Sequence, residues 1–293
     1  NILDEYNNPI VGEFDDYIKA NYYHLNNGPD LRDYQKEAII EAKKLFNETE
    51  LTNYKLFWCC GLGKTKTALT ISKQLNFKTI LISLPSVLLL HQFAEELEYF
   101  YPLTKPFKYY SNAINNEDLT TYLSSTNRYK IVLTTYHSSK HILNSVKLLN
   151  FVFDFVILDE AHHLHSKDSK SYSYVLSIPY KKRLLLTATP NIGEDTEHQF
   201  SLENSDIFKG LSNTKSVSWA IDRGFITNYN IIVLNINNDD LNLDIFNWCD
   251  NKDLLLAAYM ALKCIYNNKS KKIIIYCNKV DSAKQIQEII NVL

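Results

Sequence analysis

The stretch LFWCCGLGKTKTAL, from Leu56 to Leu69, decides the fold because it predicts a strand, a glycine-containing loop and a helix in succession. The loop matches the phosphate-binding pattern G-x-x-x-x-G-K-[ST] at Gly63, Lys64 and Thr65. Trp58 stands where the pattern has its first glycine. Since Trp58 precedes the residues whose amides would hold phosphates, we expect the loop to tolerate it if its side chain packs elsewhere.

We predict that this loop binds the phosphates of a nucleoside triphosphate. Glycine lets backbone N–H groups curl inward, and the positive end of the following helix favours an anion. Lys64 supplies a charge for the β- and γ-phosphates, and the Thr65 hydroxyl can ligate Mg²⁺. The residues expected to hold the nucleotide are Cys60, Gly61, Leu62, Gly63, Lys64, Thr65 and Lys66. The alternative is an ordinary strand-to-helix turn with an incidental Lys-Thr pair.

Short apolar runs recur along the chain and alternate with amphipathic helices. Runs rich in Val, Ile, Leu and Phe on both faces predict parallel strands that are buried on both sides of the sheet. The predicted strands are 54–58, 79–83, 130–134, 153–158 and 183–187. The predicted fold class is therefore α/β, a parallel sheet covered by helices on both faces.

Two acidic residues, Asp159 and Glu160, follow directly after the apolar run FDFVIL. Ligands of open parallel sheets bind at the carboxyl ends of the strands, so we expect both carboxylates to face the phosphate loop. Asp159 suits a mostly indirect Mg²⁺ ligand, because this ion prefers oxygen and keeps several waters. Glu160 is then the residue that orients and deprotonates an attacking water. Taken alone, the pair also fits a solvated helix N-terminus.

The cysteines and histidines argue against a structural metal or disulfide framework. The five cysteines form no C-x-x-C pair, which favours a reducing, intracellular compartment, cytoplasmic or nuclear. His162 and His163 are neighbours whose side chains we expect to point apart, and the histidines that follow the acidic pair, at 162, 163 and 165, have no H-x-x-x-H spacing. A zinc site is therefore not expected.

Charge and hydropathy limit the possible partners. No apolar run approaches the roughly 20 residues that cross a bilayer, so no membrane partner is expected. The net charge is −2, so a nucleic-acid contact would need a local surface or backbone amides. The basic runs Lys181–Arg183 and Lys269–Lys272 precede predicted strands, which places them at the edge opposite the loop as solvated ends.

In chain order, several blocks resemble the motifs of the superfamily 2 helicases and translocases, in particular the DEAH-bearing branch related to restriction-enzyme motor subunits. The blocks begin at Leu31 (LRDYQKEAI), Cys59 (CCGLGKT), Leu81 (LISLPSVLLLHQ), Thr134 (TTYHS), Asp159 (DEAH), Thr187 (TAT), Trp219 (WAIDRGFITNY) and Lys271 (KKIIIYCNKVDSAKQI). Each block alone is weak, but their order is specific, and they cover the chain from Leu31 to its end.

The resemblance implies roles for individual residues. Gln35 would read the adenine edge, with Arg32 and Tyr34 framing the base. Catalysis would rest on Lys64, Asp159 and Glu160, with Mg²⁺ held by Thr65 and Asp159. The residues implied to touch the nucleic-acid backbone are Pro85, Ser86, Thr135 and Tyr136, and those implied to couple it to hydrolysis are His162, Thr187 and Thr189.

The resemblance also implies a domain plan. Residues 1–30 would form an N-terminal extension with one short helix near 14–23, and 31–229 a first RecA-like ATP-binding domain. Residues 230–250 would form a linker, and 251–293 the beginning of a second RecA-like domain, including a strand at 271–277. ATP would bind between the two domains, with nucleic acid across both.

The implied function is an ATP-dependent nucleic-acid motor, a helicase, acting on DNA more than on RNA. The alternatives are a translocase or remodeller that tracks along duplex without separating strands, and a non-hydrolysing nucleotide-binding scaffold. Motifs V and VI of the family, which include its arginine finger, lie beyond the sequence given. Since loss of such an arginine lowers the rate by about 10³ to 10⁵, we expect this fragment to bind ATP but hydrolyse it weakly.

Overall fold

In the computed structural model of the chain, the described residues are 30–110, 116–165, 174–190, 202, 206–229, 251–268 and 272–292. The chain divides into two units, Asn1–Asn228 and Tyr229–Leu293. The helix predicted near 14–23 and the linker predicted at 230–250 lie outside the described residues. The predicted domain boundaries therefore stay predictions.

A seven-stranded, all-parallel sheet organises the described part of the first unit. The strands are β1 (Asn53–Trp58), β2 (Thr79–Leu84), β3 (Phe107–Tyr109), β4 (Lys130–Thr135), β5 (Phe153–Leu158), β6 (Tyr180–Thr187) and β7 (Gly210–Lys215). Their spatial order is β3-β4-β2-β5-β6-β1-β7. The five predicted strands are confirmed with boundaries shifted by a few residues at most, whereas the edge strands β3 and β7 were not predicted.

Helices cover both faces of this sheet, which confirms the predicted α/β class. They are α1 (Asp33–Glu48), α2 (Lys64–Gln74), α3 (Val87–Phe100), α4 (Asn116–Ser124), α5 (Ser139–Leu148) and α6 (Val217–Asp222). Residues of α1, α2 and α3 pack in one apolar core and residues of α4 and α5 in another. Successive residues of β2 enter different cores, because side chains alternate along a strand: Ile80 and Ile82 enter the first, and Leu81 the second.

The strand order determines which residues meet at the carboxyl edge of the sheet. The carboxyl ends of β5, β6 and β1 are neighbours in the sheet, and β2 flanks β5 on the other side. The loop after β1, the acidic pair after β5 and Thr187 at the end of β6 therefore share one edge. Among the described residues, no helix is long and apolar enough to span a membrane.

The basic run Lys181–Arg183 lies at the amino edge as predicted, but it belongs to β6 and is not simply a solvated end. Lys181 is exposed and pairs with Asp154 at 2.7 Å. Arg183 is only 1% exposed; its Nε donates to Asn53 Oδ1 at 2.8 Å and its Nη2 donates to the Ile207 carbonyl. The prediction is wrong for Arg183, because its guanidinium anchors the chain entering β7. Of the run Lys269–Lys272, only Lys272 is described, and it is exposed.

The second unit contains two described helices, α7 (Lys252–Asn268) and α8 (Val280–Val292). Leu255 and Ala258 of α7 pack with Ile286 and Ile289 of α8. The described residues 272–277, where a strand was predicted, have no strand assignment. The predicted strand is therefore wrong for residues 272–277. The described part of the second unit contains no other strand with which this segment could pair.

Candidate functional site

The loop between β1 and α2 is shaped by two glycines with left-handed backbone. Gly61 has φ of 82° and Gly63 has φ of 74°, a region that side-chain-bearing residues rarely adopt. A Cβ on Gly63 would lie 2.6 Å from Gln35 Nε2, so glycine is also required there by space. The loop then enters α2 at Lys64, and its N–H groups and the helix N-terminus form the kind of concavity that favours an anion.

Helix α1 braces this loop from behind through two side chains. The Tyr34 hydroxyl donates to the Leu62 carbonyl at 2.9 Å, and Gln35 Nε2 donates to the carbonyls of Leu62 at 3.2 Å and Gly63 at 3.3 Å. Gln35 Oε1 accepts from the Arg32 N–H at 2.9 Å. The Gln35 amide therefore holds the loop through Nε2 and the start of α1 through Oε1, and its implied reading of an adenine edge stays a prediction.

Trp58 packs away from the loop, as the sequence required. Its side chain is fully buried, and its Nε1 donates to Asn213 Oδ1 at 2.8 Å. Asn213 Nδ2 donates in turn to Glu41 Oε2 at 2.8 Å, and the same carboxylate oxygen accepts from the Tyr54 hydroxyl at 2.7 Å. Burial and, after it, the hydrogen bond with Glu41 raise the pKa of Tyr54. This chain of hydrogen bonds joins α1, β1 and β7, so Trp58 is part of the scaffold.

Lys64, the first residue of α2, bends back over the loop. Its Nζ donates to the Trp58 carbonyl at 3.0 Å. Its charge also acts on Asp159, whose pKa it lowers. Thr65 follows in the first turn and is partly exposed. Lys66 Nζ donates to the Asp30 carbonyl at 2.6 Å, outside the loop itself.

The acidic pair lies at the end of β5 next to β2. The Asp159 N–H donates to the Ser83 carbonyl at 3.0 Å, which continues the β2–β5 ladder by one residue. Asp159 is 9% exposed, and burial together with the neighbouring Glu160 charge raises its pKa to about 6, although Lys64 opposes this. Glu160 has φ of 49°, a strained conformation that often marks a functional residue. The structure thus brings Lys64 and the acidic pair together.

His162 connects the acidic pair to the end of β6. Its Nδ1 lies 3.3 Å from Glu160 Oε2 and 3.0 Å from Thr187 Oγ1. The Thr189 N–H donates to the same Thr187 hydroxyl at 3.2 Å. Burial and then the charge of His163 lower the pKa of His162, while Glu160 raises it. The three residues implied to couple the two activities are therefore joined by hydrogen bonds, but that role stays a prediction.

The two histidines do not point apart. The ring centroids of His162 and His163 lie 4.2 Å from each other at an interplanar angle of 34°, so the expectation was wrong. Both histidines belong to the short 3₁₀ helix Ala161–His165. Across the described segments, no group of three or more His, Cys, Asp or Glu side chains could hold a metal ion.

The four residues implied to touch nucleic acid follow β2 and β4. Ser86 is exposed and caps α3, accepting from the Leu89 N–H at 3.3 Å, and Pro85 is partly buried beside it. Thr135 is buried, and its hydroxyl lies 3.1 Å from the Ser138 hydroxyl. Tyr136 is fully buried. A nucleic-acid contact by the Tyr136 side chain is therefore wrong for this conformation, because the ring packs in the core beneath the turn.

Sequence reasoning missed a cavity of about 420 Å³ beside α1. Arg32 Cζ lies 5.1 Å from the centre of the Phe225 ring, and Lys215 Nζ and Arg223 Cζ lie 4.9 and 5.0 Å from that of Trp219. The residues that line this cavity are Arg32, Asp33, Tyr34, Glu37, Lys215, Trp219, Arg223 and Phe225. The signal was the block WAIDRGF, in which aromatic and basic residues alternate, but only the fold brings it to α1.

Comparison with known proteins adds three findings. The family model described as "Type III restriction enzyme, res subunit" matches residues 28–192, more than half of the chain. ATP-dependent helicase fft3 of Schizosaccharomyces pombe is 30% identical over 137 residues, covering 44% of this chain and 15% of the relative. Helicase SWR1 of Eremothecium gossypii is 30% identical over 172 residues, covering 56% of this chain and 11% of the relative. The chain therefore spans only a small part of these relatives.

Solved structures show the same fold. The DNA-bound type ISP restriction-modification enzyme LlaBIII matches 90% of this chain with a TM-score of 0.68 at 20% identity, and this chain spans 21% of that one. The Hef helicase domain of Pyrococcus furiosus matches 92% with a TM-score of 0.53 at 19% identity, and 54% of it is covered. The parallel sheet with its helices is thus the RecA-like fold of helicase domains.

Proposed function

Because the chain belongs to the family of type III restriction enzyme res subunits, we propose that it is an ATP-dependent motor that moves on nucleic acid, on DNA in preference to RNA. One observation carries this proposal. Lys64, whose Nζ donates to the Trp58 carbonyl at the end of β1, and the acidic pair after β5 lie at the same carboxyl edge of the sheet, although they are far apart in sequence. We assign residues 31–229 to a first RecA-like domain and residues 251–293 to the beginning of a second.

ATP is the nucleotide that the loop residues fit. The left-handed glycines and the N-terminus of α2 suit a phosphate chain, and Lys64 Nζ lies 3.0 Å from the Trp58 carbonyl, at the start of the loop. The cavity lined by Arg32, Trp219 and Phe225 suits a planar base held by stacking and by cation–π contact. We propose that the triphosphate lies on residues 60–66 and the base in this cavity.

Mg²⁺ fits beside the acidic pair. The described hydrogen bonds to the Asp159 carboxylate come from the Glu160 N–H alone, so oxygen lone pairs remain for an ion or its waters. The Thr65 hydroxyl is the second proposed ligand. When bound, Mg²⁺ would neutralise charge on the phosphate oxygens. Asp159 and Thr65 would hold the ion next to the phosphates.

Glu160 is the proposed general base. Its strained, left-handed backbone fixes the direction in which the side chain leaves the chain, and its Oε2 lies 3.3 Å from His162 Nδ1. The side chain is therefore oriented at the backbone and at the carboxylate. It would accept the proton of a water that attacks the terminal phosphorus as the bond to the leaving phosphate breaks. Burial and the charge of His163 lower the pKa of His162 and so favour its neutral form. Through the hydrogen bond between His162 and Thr187, a change at the hydrolytic site would be transmitted to the end of β6.

Nucleic acid is proposed to lie along the turns after β2 and β4. The exposed Ser86 hydroxyl and backbone amides of the two turns would contact phosphates without reading bases, which agrees with the small net charge of the chain. The solved relatives include LlaGI with a DNA substrate mimic and LlaBIII bound to DNA. Another relative is named a putative ATP-dependent RNA helicase, of African swine fever virus, so the choice of DNA needs a direct test.

The test is ATP hydrolysis by the chain with duplex DNA, single-stranded DNA or RNA, beside two variants. We expect DNA to stimulate hydrolysis more than RNA. Glu160→Gln should lower kcat by about 10² to 10⁴ while the affinity for a non-hydrolysable ATP analogue stays within about twofold, since Glu160 acts on the water. Lys64→Ala should lose that affinity. Equal hydrolysis by wild type and Glu160→Gln would overturn the proposal.

A second pair of assays separates strand separation from movement along duplex. Displacement of a labelled strand from a partial duplex indicates a helicase, and displacement of a third strand from a triplex without strand separation indicates a duplex-tracking translocase. Binding of the analogue, with a residual ATP hydrolysis that neither nucleic acid nor Glu160→Gln changes, would indicate the non-hydrolysing scaffold instead.

A further inference from the structure

Tyr136 reaches from the turn after β4 to the backbone of the acidic pair. Its ring is fully buried, and its hydroxyl donates to the Asp159 carbonyl at 2.7 Å. In the sheet, β2 lies between β4 and β5, so this hydrogen bond spans an intervening strand. This hydrogen bond connects the turn after β4 directly to the end of β5, which apolar packing alone would not do.

The carbonyl that accepts this hydrogen bond belongs to the peptide between Asp159 and Glu160. The other polar groups around it are also held: the Asp159 N–H by the Ser83 carbonyl at 3.0 Å, and the Glu160 N–H by Asp159 Oδ1 at 3.0 Å. Glu160 has φ of 49°, which a residue with a side chain keeps only when its surroundings impose it. The Tyr136 hydroxyl is one of the contacts that impose it.

The same turn also faces outward. Tyr136–Ser138 form one turn of 3₁₀ helix, in which Tyr136 is buried while His137 is exposed. The Thr135 and Ser138 hydroxyls lie 3.1 Å apart and close the turn on itself. A shift of this turn therefore moves an exposed side chain and the buried phenol together.

We infer that Tyr136 is a positioning residue that couples nucleic-acid contact at the turn after β4 to the orientation of Glu160. This inference rests on the proposed function and adds a route to the catalytic base that does not pass through His162 and Thr187. Contact at the turn sets the position of the phenol, the phenol sets the Asp159–Glu160 peptide, and the peptide sets where the Glu160 carboxylate points.

The test is Tyr136→Phe, which removes the hydroxyl and keeps the ring. ATP hydrolysis is measured with and without duplex DNA, together with the affinity for a non-hydrolysable ATP analogue. We expect DNA-stimulated kcat to fall by about 10- to 100-fold, as a small misplacement of a catalytic group does. The analogue affinity should change less than about threefold, because the phosphate-loop contacts are intact, and the ratio of the DNA-stimulated rate to the DNA-independent rate should fall.

Tyr101→Phe is the matched control. Tyr101 is also buried, and its hydroxyl lies 2.8 Å from the Ser72 hydroxyl, away from the acidic pair. If both variants lose similar thermal stability but only Tyr136→Phe loses stimulation, the effect is one of positioning. Stimulation retained by Tyr136→Phe, with a stimulated wild type, overturns this inference alone. A wild type that DNA does not stimulate overturns the inference and the proposed function together.

Discussion

Asp154 and Asp159 stand at opposite ends of β5 and have opposite surroundings. The Asp154 carboxylate accepts from the Lys78 and Thr79 N–H groups, both at 3.0 Å, and pairs with Lys181 at 2.7 Å. Those hydrogen bonds outweigh the effect of burial, so the pKa of Asp154 lies below its ordinary value. Asp159 is buried beside Glu160, and its pKa is raised to about 6.

The difference separates an acid that stabilises the fold from an acid that is proposed to act in catalysis. At the amino edge, the charge is matched by donors that the protein itself provides. At the carboxyl edge, the fold buries a charge that it only partly matches, a pattern that clusters at functional sites. The comparison makes predictions that substitutions at the two ends can test.

The largest effect is expected from exchanging each acid for its amide. Asp159→Asn should lower DNA-stimulated ATP hydrolysis by about 10² to 10⁴, because the proposed Mg²⁺ ligand is lost. Asp154→Asn should leave kcat and KM within about twofold, since it lies at the other end of the strand. Steady-state kinetics of both variants checks this. Comparable losses of kcat in the two variants would contradict the different roles assigned to the acids at the two ends of β5.

Trp58 sharpens the comparison, because it lies at the carboxyl edge yet has a structural role. Trp58→Gly restores the first glycine of the phosphate-loop pattern, but we expect it to lower the free energy of unfolding by about 3 to 5 kcal/mol, as loss of a large buried side chain does. Chemical denaturation measures this. Trp58→Phe, which keeps a ring but frees Asn213 Oδ1, should cost about 1 to 2 kcal/mol. A Gly variant as stable as wild type would contradict the structural role.

The pH dependence of stability should have opposite signs at the two ends. The folded pKa of Asp159, about 6, lies above its ordinary value of 3.8, so the folded state binds more protons between these values and wild-type stability falls as pH rises through them. In EDTA at pH 7.5, Asp159→Asn should therefore gain about 1 to 3 kcal/mol, and the gain should vanish towards pH 4.

Asp154 behaves in the reverse manner. Its folded pKa is lowered, so its contribution is present above the ordinary pKa and is lost as pH falls through the folded value. Asp154→Asn should lose about 1 to 3 kcal/mol at neutral pH. Denaturation midpoints of wild type and both variants from about pH 2 to pH 7.5, a range that includes the region below the ordinary pKa where the Asp154 contribution is lost, provide the measurement. Parallel pH profiles for the two variants would contradict the assigned environments.

The smallest effect is expected at Cys60, an exposed side chain within the phosphate loop. If this residue contributes only its backbone N–H, Cys60→Ala should change the affinity for an ATP analogue by less than about twofold. Cys59 is the buried comparison: its thiol donates towards the Ser216 carbonyl at 3.7 Å, so Cys59→Ala should affect stability more than binding. A large loss of affinity in Cys60→Ala would assign its side chain a direct role.

The sequence predicted the strands that are buried on both faces, because an uninterrupted apolar run such as FDFVIL is typical of a strand covered on both sides. It missed β7, whose sequence GLSNTK is polar because the strand lies at the edge of the sheet. It missed β3 for a related reason, since three residues are too few to show a period. Edge strands are specified by the neighbour they pair with, which a local pattern does not contain.

The candidate site divides in the same way. The loop glycines, Lys64 and the acidic pair follow from motif and strand order, and the structure brings them together. The burial of Arg183, which lies outside this site, was not predicted, because a basic run does not show that Asn53 and the Ile207 carbonyl accept hydrogen bonds from its guanidinium in the fold. Tyr136 was misread because exposure depends on which side of a turn faces the core.

The hydrogen bond from Lys64 Nζ to the Trp58 carbonyl has a consequence for how tightly a nucleotide is held. An incoming phosphate must compete with that carbonyl for the same ammonium, so the measured affinity reflects an exchange of acceptors. The internal acceptor is fixed by the strand end, which in turn is anchored by the buried Trp58 side chain. This competition lowers the affinity for the nucleotide, which suits the proposed motor, because such a motor would have to release ADP after each cycle of hydrolysis.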